Sequence, residues 1–390
     1  MYEILAAEGY GLGFRGFSAI DRYLGFHPLP VTWVETDADL SVLARLFEGL
    51  RFPGVDIADA ALDTDGQTWY VRCIDPDEDQ RVSYKLLSLT QDQRTGRFQD
   101  PWAGPDMPWG LYPLLREFRD GSPRKDSAVP KPVEPWWAGL DPDTGYYQAA
   151  MDGALILARY GGAVDNTKPL PIHSIAQSFR DLPGDSPPRE EQQRVLLTCL
   201  LLSPRPGLGM ELLKACGFVV ELWPELGILD DVDHSKEFHP EGNVWNHTME
   251  TFRYRKTLDL PLSLGLLLHD VGKPRSIASG NHRFAGHAEL GAGLSRKFLT
   301  RLGFDPPLIQ DICYLVKNHM LPAALPRLPL TRTQEILESP LFPTLLELYR
   351  CDESSSFKGL DGYYKSSAAY QAYLRYRRNP YRSADGKKMQ

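Results

Sequence analysis

Histidines are concentrated in one stretch of this sequence and recur there together with aspartates. Of the nine histidines in 390 residues, six lie between His239 and His319. Four of these histidines and two aspartates stand in the order that a site for two metal ions needs: His247, His269, Asp270, His287, His319 and Asp352. Side chains so far apart in sequence reach one point only when several helices bring them there. This pattern constrains the fold of the C-terminal third more than any other feature.

These six side chains offer the ligand atoms of a transition-metal site. Imidazole nitrogen and carboxylate oxygen together suit zinc, iron, manganese, nickel and cobalt. His269 and Asp270 are adjacent, so on a helix they point about 100° apart and can straddle an ion between neighbouring helices. Asp270 has two oxygens and can bridge two ions. The first ion is predicted to take His247, His269, Asp270 and Asp352, and the second His287 and His319. We predict one or two divalent ions, between which a bridging hydroxide is a nucleophile at neutral pH.

Each of these residues also has an ordinary structural interpretation. A lone histidine on an apolar helix is usually a core or surface residue, and the apolar run 264–268 fits a buried His269. A buried Asp270 then needs a partner for its charge. His239 and His282 are interpreted as surface residues, with a place for His282 in the wall of the pocket as the alternative.

The local sequences HPEGNVWNHTMET, LLLHDVGKP and GHAELGA resemble the HD superfamily of metal-dependent phosphohydrolases. The family pattern is H…HD…D, with two further histidines in its binuclear members. That extended pattern is matched, in order, by His247, His269, Asp270, His287, His319 and Asp352. The segments look most like the HD domain attached to bacterial tRNA nucleotidyltransferases and poly(A) polymerases. The resemblance implies that Lys273 reaches a substrate phosphate as a point charge; the alternative is an ordinary lysine at a helix end.

The same nucleotidyltransferases carry, at the N-terminal end, a glycine-glycine turn with an Arg-Asp pair and a strand with two magnesium-binding aspartates. The corresponding stretches here are GFSAIDRYLG at 16–25 and PVTWVETDADLSVLARLF at 30–47. The two carboxylate positions hold Val31 and Trp33, which offer magnesium no oxygen ligand. Asp37 and Asp39 form a nearby DxD, interpreted as helix-capping residues, with displaced metal ligands as the alternative. The resemblance therefore implies a degenerate head that serves as a scaffold or nucleic-acid platform.

The predicted fold class is α+β: a small α/β nucleotidyltransferase-like head, then a mostly α-helical body ending in an all-α HD domain. The runs VTWVET, QTWYVRCI and RVSYKLLSL, together with a helical pattern at 38–48, predict the α/β head. The predicted segments are a head at 1–118, a linker at 119–145, a helical neck at 146–238, the HD domain at 239–365 and a basic tail at 366–390. The tail carries six Lys/Arg and four tyrosines. We interpret it as a solvated helix end, with nucleic-acid contact as the alternative.

Composition limits the partners and the compartment. The net charge of −8 excludes a general polyanion binder, so any nucleic-acid contact needs a local basic patch. Five cysteines without a CxxC pair indicate neither a disulfide framework nor a zinc ribbon, which fits a reducing cytosol. The N-terminal residues do not resemble a signal peptide, and the apolar runs are too short to span a bilayer. We expect a cytoplasmic protein without a membrane partner, of an oligomeric state that the sequence leaves open.

The favoured hypothesis is metal-dependent hydrolysis of a phosphomonoester or phosphodiester in a nucleotide or RNA end, with Asp270 and Lys273 in catalytic roles. A nucleotide or an RNA 3′ end is the expected substrate, and tRNA is a possible partner. One alternative is an enzyme that adds nucleotides to RNA 3′ ends, which needs intact magnesium carboxylates in the head. Another is a non-catalytic RNA-binding protein with a structural metal, which a closed coordination shell would distinguish.

Overall fold

A computed structural model describes residues 1–54, 58–64, 66–74, 82–101, 136–164, 171–233, 242–279, 283–356, 359–378 and 381. The chain divides into two compact units, Met1–Cys199 and Leu200–Gln390. Most of the predicted linker lies outside the described residues, and so do His239 and His282. The two units are described separately below.

The strands described in the first unit form one mixed sheet. They are β1 (Gly13–Arg15), β2 (Val31–Thr36), β3 (Leu50–Arg51), β4 (Ala60–Thr64), β5 (Gln67–Cys73), β6 (Thr90–Asp92) and β7 (Phe98–Gln99). Their order across the sheet is β3-β4-β5-β2-β1-β6-β7. Only the β2–β5 pair is parallel among these strands, with Val31 opposite Thr68 and Thr36 opposite Cys73.

Two of the three sequence runs that predicted the α/β head become the central strands. VTWVET forms β2 and QTWYVRC forms β5, because β-branched and aromatic side chains suit a half-buried pleated surface. The third run behaves differently: a 3₁₀ turn covers Lys85–Ser88 and buries Leu86 and Leu87. Two consecutive leucines on one side of the chain fit a turn of helix, since a strand would direct them to opposite faces.

The helices of the first unit begin and end at recognisable residues. They are α1 (Tyr2–Ala7), α2 (Gly16–Leu24), α3 (Leu40–Leu46), α4 (Tyr146–Val164), α5 (Ile172–Gln177) and α6 (Glu190–Leu201), the last of which crosses the unit boundary. Helix α2 ends at Gly25, whose φ of 70° suits glycine. Arg159 of α4 donates to Asp21 of α2 at 2.5 Å, and Tyr160 donates to the same carboxylate at 2.7 Å. This buried ion pair joins the two helices.

The second unit is almost entirely helical. Its helices are α7 (Pro206–Ala215), α8 (Phe218–Leu222), α9 (Pro224–Gly227), α10 (Val244–Thr251), α11 (Leu260–Leu268), α12 (His287–Arg301), α13 (Pro306–Asn318), α14 (Leu321–Ala324), α15 (Leu330–Glu338), α16 (Phe342–Ser354) and α17 (Asp361–Arg378). The leucines of α11 from Leu264 onward are at most 1% exposed, as expected of a central helix that is apolar on every side.

The predicted α+β class is confirmed, with one addition to the helical domain. Strands β8 (Ile277–Ser279) and β9 (Arg283–Ala285) pair antiparallel between Asp270 and His287. This short hairpin leads directly into α12, so it fixes where that helix begins. No described helix combines the length and the apolar character that crossing a membrane requires.

Candidate metal centre

The first two histidines of the predicted site are held by capped helices. His247 lies in α10, where Asn243 caps the helix by accepting from the backbone nitrogen of Asn246 at 2.8 Å. His269 follows the last residue of α11, whose start Asp259 caps through the nitrogen of Leu262. Because α11 ends at Leu268, the backbone turns at the HD pair. Both side chains of the pair therefore reach the same place.

The other ligand candidates also lie on helices, two of them at the ends. His287 is the first residue of α12, after Gly286 with a φ of 73°. His319 directly follows the last residue of α13, and Asp352 lies in the final turn of α16. Helices α12 and α13 run side by side, so the start of one lies next to the end of the other.

One group of three ligand atoms joins His247, His269 and Asp352 within 4.8 Å. The Nε2 atom of His247 lies 3.0 Å from Asp352 Oδ1 and 3.4 Å from Nε2 of His269. His269 Nε2 lies 3.9 Å from the same Asp352 oxygen. Two nitrogens and one oxygen facing a common point form a donor set that suits a divalent transition metal.

A second group joins Asp270, His287 and His319 within the same limit. The Nε2 atoms of the two histidines are 3.1 Å apart, and they lie 3.5 and 3.9 Å from Asp270 Oδ1. The other oxygen, Oδ2, lies 3.2 Å from His269 Nε2 and 3.7 Å from His247 Nε2. The structure thus brings all six predicted side chains together, and the Asp270 carboxylate lies between the two groups.

The ring orientation of three histidines is fixed by backbone carbonyls. His269 Nδ1 lies 2.8 Å from the Leu266 oxygen, His287 Nδ1 2.7 Å from that of Phe284, and His319 Nδ1 2.7 Å from that of Val316. A carbonyl oxygen only accepts, so each Nδ1 carries the proton and donates. Each Nε2 then presents its lone pair to the centre, which is the tautomer that a metal ligand needs.

His247 is held by a hydroxyl that the sequence prediction missed. Ser355 donates its proton to the carbonyl oxygen of Asp352 at 2.6 Å, and its oxygen lies 3.3 Å from His247 Nδ1. With the hydroxyl proton already engaged, the serine oxygen accepts from Nδ1. The sequence spacing could have identified Ser355. It follows Asp352 by three residues at the end of α16, and that spacing returns a side chain to the same face of a helix.

The charge states of the centre fit metal binding. Burial alone raises the pKa of Asp270, but the charge of His269, when its ring is protonated, and that of Lys273 outweigh it and hold the pKa well below its usual range. Burial likewise opposes ionisation of Asp352, and the hydrogen bond and charge of His247 in its protonated form reverse the effect, so its pKa is also lowered. Burial lowers the pKa of His319 to about 4. Ionised carboxylates and a neutral imidazole are the forms that bind metals.

Lys273 lies at the centre, in contact with a ligand candidate. Its Nζ is 2.5 Å from Asp270 Oδ2 and 5.6 Å from the centre of the Phe284 ring, and the residue is 8% exposed. The sequence prediction had this ammonium on a substrate phosphate. In the structure it contacts the carboxylate between the two groups.

Gly272 permits a close approach of two backbones that the sequence prediction did not anticipate. A Cβ on this residue would lie 2.0 Å from the carbonyl oxygen of His287 and 2.6 Å from the nitrogen of Gly291. The start of α12 therefore touches the turn after the HD pair, and this contact brings His287 to Asp270. In the sequence, a glycine two positions after the HD pair was the feature that could have indicated this close approach.

In the first unit, the two positions predicted to correspond to magnesium carboxylates carry apolar side chains on β2. Val31 is 7% exposed, and the ring of Trp33 lies 5.6 Å from that of Phe17. Glu35 shares their face of the strand because side chains alternate. Among the described residues, both groups of three side chains that could hold a metal ion lie in the second unit.

The nearby aspartates of the DxD sequence have structural partners. Asp39 caps α3 by accepting from the nitrogen of Val42 at 2.9 Å, and it also accepts from Ser41. Asp37 accepts from the nitrogen of Gly11 at 2.7 Å. The capping interpretation of Asp39 therefore agrees with the structure, while Asp37 fastens the segment before β1.

Comparison with known proteins identifies the helical domain. Residues 244–342 match the HD domain family. This range contains five of the six convergent side chains, and Asp352 follows it. The chain resembles several curated relatives over part of its length, and it spans less than half of each of those given below.

The CC-adding tRNA nucleotidyltransferase of Thermus thermophilus is 35% identical over 141 residues, 34% of this chain and 32% of that protein. The A-adding tRNA nucleotidyltransferase of Deinococcus radiodurans is 35% identical over 181 residues, 43% of this chain and 40% of its own. A bifunctional uridylyltransferase/uridylyl-removing enzyme of Mycobacterium tuberculosis is 31% identical over 199 residues, 48% of this chain and 22% of its own.

Among solved structures, the Bacillus stearothermophilus CCA-adding enzyme in complex with CTP aligns with 97% of this chain and 81% of its own. The TM-score is 0.44 and the identity 13%. Residues 244–342 of this chain are an HD domain, and its homologues include the CC-adding and A-adding tRNA nucleotidyltransferases.

Proposed function

We propose that this chain is a metal-dependent phosphohydrolase that cleaves a phosphomonoester or phosphodiester in a nucleotide or an RNA end. The observation that carries the proposal is the position of Asp270. Its Oδ2 lies 3.2 Å from His269 and its Oδ1 lies 3.5 Å from His287, so one carboxylate faces two separate ligand groups. A pair of ions joined by a carboxylate is an arrangement used for phosphate ester hydrolysis.

The proposed ligands divide into the same two groups that the distances between their atoms define. The first ion would be held by His247, His269 and Asp352 and the second by His287 and His319, with the Asp270 carboxylate facing both groups. Iron, manganese, nickel, cobalt and zinc all suit this donor set. Divalent ions at such a centre supply Lewis acidity toward the phosphoryl oxygens and activate water at neutral pH.

The chain's own residues orient the centre and balance its charge. The carbonyl partners of the histidine Nδ1 atoms keep each lone pair directed at the centre, so the ligands are ordered before substrate arrives. Lys273 holds a positive charge against Asp270 at the centre. There it stabilises the negative charge that the phosphoryl group brings.

The test combines metal analysis with a substrate screen. Purified protein is analysed for bound metal and assayed on p-nitrophenyl phosphate, bis(p-nitrophenyl) phosphate and RNA oligonucleotides with a terminal phosphate. Asp270→Asn should lower turnover by at least about 100-fold and reduce the metal content. Asp305→Asn is the matched control, since Asp305 is exposed and its side chain caps nothing. Full turnover and normal metal content in Asp270→Asn would overturn the proposal.

The comparisons favour a second function, transfer of nucleotides to tRNA 3′ ends, because two relatives are named for it. Val31 and Trp33 argue against it, since nucleotidyl transfer needs carboxylates to hold divalent ions. A tRNA lacking its 3′ end, with CTP, ATP and magnesium, distinguishes the two functions. We expect no incorporation. Incorporation that Asp37→Ala with Asp39→Ala abolishes would establish the transferase. Bound metal without either activity would indicate a structural metal in an RNA-binding protein.

A further inference from the structure

A cavity of about 370 Å³ lies inside the first unit, between the sheet and the helices α4 and α6. Its volume falls in the usual range of small-molecule sites, about 300–1,000 Å³. The sheet side contributes Arg15 and Trp33, and the helices contribute Asp152, Leu155 and Val195. The phosphohydrolase proposal uses none of these residues.

Arg15 is a half-buried cation in the cavity wall without a hydrogen-bonded acceptor among the described residues. Burial lowers its pKa, and the charges of Glu35 and Asp152 oppose this effect. One oxygen of Glu35, Oε2, is buried without a hydrogen-bond partner in the described structure. No described acceptor therefore engages the guanidinium group, and its donors can bind an acceptor that enters the cavity.

Asp152 places a carboxylate in the same cavity. Its Oδ2 accepts from Ser83 Oγ at 2.5 Å and from Gln148 Nε2 at 2.7 Å. Its Oδ1 accepts from none of the described residues. Two donors thus fix the orientation of the carboxylate and leave one oxygen for a ligand. Burial raises the pKa of Asp152, so a positively charged partner would relieve the cost of its ionised form.

The rest of the wall is mainly apolar. Besides Leu155 and Val195, it includes Phe17, Met151 and Leu196. Arg72 also lines the cavity, but its guanidinium group is already paired with Asp59 Oδ1 at 3.1 Å. One unengaged anion-binding group, one cation-binding group and a mainly apolar remainder describe the complement of a small zwitterion. Arginine binds carboxylates through paired hydrogen bonds, and a carboxylate is the natural partner of an ammonium group.

We infer that this cavity binds a free α-amino acid with a large apolar side chain. Arg15 pairs with the ligand carboxylate and Asp152 Oδ1 accepts from its ammonium group. The side chain lies against Leu155 and Val195. A nucleoside triphosphate is a poor match, because Asp152 repels its phosphates and the neighbouring strand provides Val31 and Trp33 in place of metal-binding carboxylates.

The inference is tested by calorimetric titration of the full chain with L-phenylalanine, L-leucine, L-methionine and L-tryptophan. At least one should bind saturably. Two one-ended analogues carry only one of the two charged groups: 3-phenylpropanoate lacks the ammonium group and phenethylamine lacks the carboxylate. Each should bind at least about tenfold more weakly than L-phenylalanine, since each lacks one charge-assisted contact. Absence of binding by all four amino acids would refute the inference. So would equal binding of a one-ended analogue, or tighter binding of ATP or CTP with magnesium.

Variants locate the binding in the cavity. Arg15→Gln and Asp152→Asn should each weaken amino-acid binding by at least about tenfold, while Arg94→Gln, at an exposed position, should leave it unchanged. Circular dichroism and thermal unfolding check the fold of each variant. Val195→Phe is an independent test that fills the cavity without changing a charge, and it should abolish binding. Unchanged affinity in folded Arg15→Gln or in folded Val195→Phe would place the ligand elsewhere.

Discussion

Replacing Gly272 with alanine should disable the second ligand group by steric pressure alone. The added Cβ would lie 2.0 Å from the His287 carbonyl oxygen, whereas non-bonded heavy atoms pack at about 3.5–4.0 Å. The start of α12 must therefore retreat by more than about 1 Å. The φ of Gly272 is −82°, so alanine has no backbone strain of its own. Functional sites tolerate displacements of only about 0.5 Å, and overpacking costs about 1–3 kcal/mol.

Gly293→Ala is the matched control in the same helix. A Cβ at that position has no neighbour within 4 Å, and alanine is favoured over glycine in a helix by about 0.8–1.0 kcal/mol. Chemical denaturation and metal analysis should show lower stability and loss of one ion in Gly272→Ala, and equal or higher stability with full metal content in Gly293→Ala. If Gly272→Ala kept both ions at unchanged affinity, the close contact would not be what positions His287.

Three further changes probe other parts of the structure. Ser355→Ala removes the acceptor for His247 Nδ1 and should weaken metal binding about 10–100-fold, measured by chelator competition. Arg159→Met leaves the buried carboxylate of Asp21 without its ionic partner and should cost about 3–5 kcal/mol of unfolding free energy, whereas Arg159→Met with Asp21→Asn should cost less. Burial raises the pKa of Cys73 to about 11, so its thiolate is scarce at pH 8. Alkylation of Cys73, followed by mass spectrometry, should quicken about tenfold per pH unit up to pH 10.

The order of histidines and aspartates was enough to predict which side chains of the second unit converge. The sequence did not determine which oxygen of Asp270 faces which group. The prediction had Asp270 bridge the two ions, and in the structure its Oδ1 completes a group with His287 and His319 while its Oδ2 faces His269 of the first group. That division depends on the residue where α11 ends and on the direction in which the chain then turns. Local periodicity does not specify either of these.

Contacts between segments that are far apart in sequence explain the other features that the sequence did not predict. The hairpin β8–β9 and the contact at Gly272 set the start of α12, and both depend on packing between segments. Lys273 lies on Asp270 because the turn after α11 directs it there. In the head, aromatic and β-branched runs predicted β2 and β5, but no sequence pattern indicated that Arg15 and Asp152 share a cavity.

The hydrogen bonds of His287 and His319 argue that the second group binds a cation. Both Nδ1 atoms donate to carbonyl oxygens, so both neutral rings turn an Nε2 lone pair toward the other across 3.1 Å. Two acceptors at that distance repel each other unless a positive charge lies between them. A proton is disfavoured, because burial lowers the pKa of His319 to about 4. A metal ion held with Asp270 Oδ1 satisfies both lone pairs. We therefore expect two ions per chain, counted by elemental analysis, and one ion per chain in His319→Ala with the fold retained. An unaltered count in His319→Ala would contradict this reasoning, and His173→Ala, at an exposed position, controls for the loss of a histidine.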